Sequence, residues 1–126
     1  MRIRDSMPER LERIAAGICA AHRAEYSFGY KRGTPVTVND PRVTELVSEV
    51  GRDVLGPDNV HVLDHPSMGA EDFAEYLAHV PGMMFRLGVG TDTTALHTPT
   101  YNFGDAPLPY GITMLSNVAL RYGVEA

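Results

Sequence analysis

Glu25-Tyr26-Ser27-Phe28-Gly29-Tyr30-Lys31 alternates polar and aromatic residues, the period-two pattern of a strand with one buried face. Upstream, Pro8 to His22 follows a helical period: Leu11, Ile14, Ala15, Ile18 and Cys19 fall on one face, and Glu9, Arg10, Glu12 and Arg13 on the other. Ser6 is placed to cap that helix, with Pro8 in its first turn and Glu9 completing a capping box. The short alternating Arg2-Ile3-Arg4 before it reads as a further strand. Strand, helix and strand predict a β-α-β unit over residues 1–33, half of an α/β sandwich. A two-stranded ribbon with one helix is marginal by itself.

Gly33-Thr34-Pro35 ends that unit and shifts the composition, so a second unit is expected over 34–126. Asn39-Asp40-Pro41 opens a helix, with Asn39 or Asp40 as the cap and Pro41 in the first position. Its apolar stripe is Val43, Leu46, Val47, Val50, Val54 and Leu55, closed by Gly56-Pro57. Val60-His61-Val62-Leu63 reads as a short strand, and Glu71 to His79 as a short helix carrying Phe73, Tyr76 and Leu77. Met83 to Leu87, apolar except for Arg86, predicts a strand covered on both faces, with Met83 and Met84 filling the core. Leu108 to Tyr122 is a final helix expected to turn Ile112, Leu115, Val118, Ala119 and Tyr122 inward. Helices alternating with buried strands predict an α/β layered fold.

The 126 residues suit a domain-sized core, with 44% hydrophobic and 21% charged residues, ordinary for a globular chain. A net charge of −5 and no basic block beyond Tyr30-Lys31-Arg32 argue against nucleic acid as a partner. No apolar run is long enough for a membrane span, and Met1-Arg2-Ile3-Arg4-Asp5 lacks the apolar centre of a signal peptide. Cys19 is the single cysteine, which excludes an internal disulfide and fits a reducing cytoplasm; within a helical pattern it reads as a small packing residue rather than a catalytic thiol. The aromatic stripe Tyr26, Phe28, Tyr30 is expected in the core rather than as a base-stacking platform.

Two stretches could carry chemistry. His97 lies in Ala95-Leu96-His97-Thr98-Pro99, a loop between a predicted strand and the last helix. A neutral imidazole nitrogen is a good ligand for zinc-like metals, and such loops gather sites in α/β sheets. A surface histidine bonded to backbone is the plain alternative. One histidine does not hold a metal tightly, since a catalytic zinc site takes about three protein ligands. His61, His65, His79, Asp64, Glu71 and Asp72 show no ligand spacing, and only His65 and Glu71 are candidates to join His97. In Gly69-Ala70-Glu71-Asp72-Phe73, the glycine before a helix lets backbone approach a ligand, and the amides that follow favour an anion. Acidic residues there also complement a helix dipole, with Asp72 as the cap. For Asn39 and Asp40, capping is the better reading than substrate contact.

The ordered set Thr37-Val38-Asn39-Asp40-Pro41, Gly69-Ala70-Glu71-Asp72-Phe73 and Leu96-His97-Thr98-Pro99 resembles the C-terminal part of the M20 family of metallopeptidases and amidohydrolases. The resemblance runs from Met1 to about Tyr122. It is nearest to members that cleave N-acyl amino acids, as hippurate and auxin-conjugate hydrolases do. It implies that residues 1–33 are the β-α-β second half of a ferredoxin-like lid or dimerisation domain and that 34–126 are the end of a zinc-peptidase-like α/β/α catalytic domain. It implies that His97 is a ligand to one of two divalent ions (zinc, manganese or cobalt) and that Gly69, Ala70 and Glu71 line the substrate cleft. The catalytic glutamate and the other ligands belong to an N-terminal region that this chain does not contain, so no catalytic residue is expected here and Glu71 is not that glutamate. The chain is therefore expected to be part of a cytoplasmic amidohydrolase acting on N-acyl amino acids or small peptides. It would be inactive alone and would associate as a homo-oligomer or with the N-terminal region. The alternative is a non-catalytic remnant, or an anion-binding or interaction module that associates with a partner chain.

Overall fold

The computed structural model describes residues 3–125, which divide into two compact units, Met1–Gly33 and Thr34–Ala126. In the first unit, α1 runs from Ile3 to Ala21. It starts earlier than its capping pattern predicts. Ser6 lies inside the helix and its Oγ donates to the Ile3 carbonyl at 2.9 Å, so it is not the cap, and Pro8 is interior. Proline there removes one bond of the helical ladder. The helix ends where Arg23 takes a left-handed φ of 52°. The Ala24 N–H donates to the Cys19 carbonyl at 2.9 Å and the Arg23 N–H to the Ala20 carbonyl at 3.2 Å, a Schellman turn.

The expected β-α-β half does not form. Ile3 and Arg4 are helical, Arg2 lies outside the described residues, and Glu25 to Lys31 is without strand pairing. A strand exists through the ladder it shares with a neighbour, and alternation supplies a face but no neighbour. This segment is instead tied to α1 by side chains. Arg4 donates to the Gly33 carbonyl at 2.6 Å, and Arg32 pairs with Asp5 at 3.2 Å. The stripe expected to be buried is therefore open: no α1 residue is buried, and Leu11, Ile14 and Ile18 are exposed, as are Tyr26, Phe28 and Tyr30. Cys19 is a free, half-buried thiol.

The second unit is built on α2 (Pro41–Leu55) and α4 (Leu108–Glu125), with a 3-10 turn at Pro57–Asn59 and the short α3 (Ala74–Leu77) between them. The start of α2 follows its sequence. Asp40 Oδ1 accepts from the Arg42 N–H at 2.9 Å and the Val43 N–H at 3.1 Å, and Pro41 opens the first turn. Gly56, at φ 87°, ends it in a conformation that side chains disfavour. Leu46, Val47 and Val50 are buried on the predicted stripe, with Val50 at 0% exposure. The core pairs Val47 and Val50 with Met114 of α4, with Val43, Val54, Leu55, Met83, Phe85 and Val118 around them. Gly51 permits this approach. A Cβ there would lie 3.0 Å from Val60 Cγ2 and 3.5 Å from Met114 Cε.

Among the described residues there is no strand, so the α/β and α/β/α layering expected from Val60–Leu63 and Met83–Leu87 is absent. Val62 is 93% exposed, and nothing packs it into a sheet. Met83 to Leu87 is held to the start of α2 by a side chain: Asn39 Nδ2 donates to the Met84 carbonyl and the Met84 N–H donates to Asn39 Oδ1, both at 3.0 Å. The Asp40 N–H adds a bond to the Gly82 carbonyl at 2.9 Å. A carboxamide thus occupies the place that a neighbouring strand's peptide would take. The face of α4 is also rotated from expectation. Met114 and Val118 turn inward, but Ile112 and Leu115 are 66% and 61% exposed and Tyr122 is exposed. The helix is apolar on both sides, and α2 covers one of them.

Val50→Ala is expected to destabilise the second unit by about 1.5–3 kcal/mol, the order for a buried branched side chain, whereas Ile112→Ala should stay within about 0.5 kcal/mol. Urea unfolding followed by circular dichroism checks both; comparable losses would mean that the Ile112 face is packed.

Candidate functional site

The His97 loop is organised by three threonines. Thr94 Oγ1 donates to the Thr100 carbonyl at 2.9 Å and accepts from the Asn102 N–H at 3.3 Å, bracketing the segment. Within it, Thr98 Oγ1 donates to the Ala95 carbonyl at 2.8 Å and the Tyr101 N–H donates to the Thr98 carbonyl at 3.0 Å. The Tyr101 and Phe103 rings stack loosely behind it, 6.0 Å apart. Pro99 restricts Thr98 to extended geometry. His97 sits at the turn with φ 63° and an exposed side chain. A left-handed backbone is uncommon for a residue other than glycine. Among the described residues the imidazole makes no hydrogen bond.

The second stretch is an exposed turn leading into α3. The Gly69 N–H donates to Ser67 Oγ at 3.2 Å, and the Phe73 N–H donates to Glu71 Oε1 at 3.1 Å. Glu71, rather than Asp72, therefore closes the first turn, and Gly69's amide is committed within the chain. Gly69 and Ala70 are exposed, and Glu71 is half-buried. Phe73 and Tyr76 pair at 5.9 Å on α3.

Among the described residues no hydrogen bond joins this turn to the His97 loop, and no three His, Cys, Asp or Glu side chains converge to hold a metal. His61, His65 and His79 are exposed, and neither His65 nor Glu71 completes a ligand set with His97. The donors present fit one coordination position, not a whole metal site. A shallow groove of about 460 Å³ lies elsewhere, lined by Val38 to Pro41 and Leu77 to Gly82. It includes neither His97 nor Gly69, Ala70 and Glu71. The groove and the Asn39 clamp escape a sequence reading, because both depend on a contact across more than forty residues; the one signal for Asn39 is a second capping-type residue directly before Asp40. No helix of the described residues is long and apolar enough to cross a membrane.

Residues 4–121 match the model of peptidase family M20/M25/M40, and the chain belongs to that family. It is 37% identical over 120 residues to a Synechocystis sp. protein named "Probable hydrolase sll0100", covering 92% of this chain and 30% of that protein. It is 33% identical over 95 residues to "IAA-amino acid hydrolase ILR1-like 4" of Arabidopsis thaliana, covering 72% and 21%. To "N-acetyldiaminopimelate deacetylase" of Exiguobacterium sibiricum it is 29% identical over 119 residues, covering 94% and 31%. The chain thus spans about a third or less of the length of these relatives.

The left-handed backbone of His97 gives a separable expectation for stability. His97→Gly should leave the thermal midpoint unchanged or slightly raised, because relief of a cost of about 1 kcal/mol offsets the added chain entropy. His97→Val should lower it, since a β-branched residue tolerates this φ poorly. A large loss on glycine substitution would show that the imidazole is a packing element.

Proposed function

We propose that this chain is the C-terminal portion of a metal-dependent amidohydrolase that cleaves the amide bond of N-acyl amino acids or small peptides, and that it is inactive alone. The observation that carries the reading is His97, an exposed imidazole on a left-handed turn in a chain of this family, with no group of three metal-ligating side chains among the described residues. Two of the relatives are named for substrates in which an amino acid carries an acyl group in amide linkage, which supports the substrate class.

In this reading residues 1–33 belong to the lid or dimerisation domain and 34–126 to the end of the catalytic domain. His97 would give one nitrogen to one of two divalent ions (zinc, manganese or cobalt), and its other nitrogen would donate to an acceptor that fixes the tautomer. Bound ions of this kind supply an activated water and polarise the amide carbonyl. Gly69, Ala70 and Glu71 face the substrate. The remaining ligands and the general base lie outside this chain. The exposed apolar faces of α1 and α4 support association, either with a second copy or with the rest of the catalytic domain. The location in this reading is the cytoplasm, consistent with one unpaired cysteine.

The purified chain is expected to hydrolyse no N-acyl amino acid with added zinc, manganese or cobalt. Turnover abolished by His97→Ala would overturn this, because it would require a complete site. In a full-length protein carrying this segment, His97→Ala should cut activity by orders of magnitude and lower the occupancy of one metal. Glu71→Gln keeps an oxygen for the Phe73 N–H, so it should retain the fold and both metals and act mainly on KM. Full metal occupancy with near-normal turnover in His97→Ala would end the ligand assignment.

Association is tested separately by sedimentation of the purified chain at micromolar concentration. Dimers or larger species are expected, and a cooperative, compact monomer would contradict the proposal.

A further inference from the structure

We draw no further inference here: the strongest candidate, the apolar stripe of α4 formed by Leu108, Ile112, Leu115 and Tyr122, stands exposed, but nothing in the structure shows what covers it.

Discussion

The packing of α2 on α4 around Val50 is the constraint on which the second unit depends. Val50 has no exposed surface, and Met114 reaches it across a gap that the missing side chain of Gly51 keeps narrow. Burial of this kind is worth about 1.5–3 kcal/mol per side chain, and few other apolar residues add to it. Leu46, Val47, Ala74 and Met114 complete the buried apolar set among the described residues. The Asn39 clamp then hangs the 82–87 segment on the α2 start, and that segment leads toward the loop that presents His97. The loop takes its own shape from the hydrogen bonds of Thr94 and Thr98.

What was legible in the sequence was local. The Asp40 cap, Pro41 at the first turn, the α2 stripe and the Gly56 stop each depend on residues within a few positions of one another, and the structure shows all four. The expected strands do not form among the described residues, because alternation in Glu25 to Lys31 and the apolar run of Met83 to Leu87 specify faces without specifying partners. The same limit explains α4. Its sequence offers two apolar stripes; Val118 packs against the core as expected, but Met114 is buried there while Ile112 and Leu115 stay exposed. Ser6 failed as a cap for a related reason: the capping pattern is short, and the helix extends through it to Ile3.

The candidate site divides in the same way. The motif around His97 marks the residue, and the match over residues 4–121 shows the family. Its left-handed φ could not be foreseen from the motif, although histidine is among the residues enriched there. The expected cap at Asp72 does not form, since the N-cap of α3 is Phe73, without a side-chain cap. Glu71 Oε1 instead accepts from the Phe73 N–H in the preceding turn, which gives that carboxylate a structural bond in addition to its proposed place at the substrate. A residue held by its own backbone is oriented without help from a ligand, which suits a position that must be preformed.

The central claim is that this chain contributes one metal donor to a site it does not complete. Equilibrium dialysis of the purified chain against zinc at low micromolar concentration, with metal analysis of the retained protein, tests this most directly. The account predicts far less than one ion per chain, with no difference between the wild-type protein and His97→Ala. One or more ions per chain, lost on His97→Ala, would contradict it and show that a full ligand set assembles within the chain or between its copies.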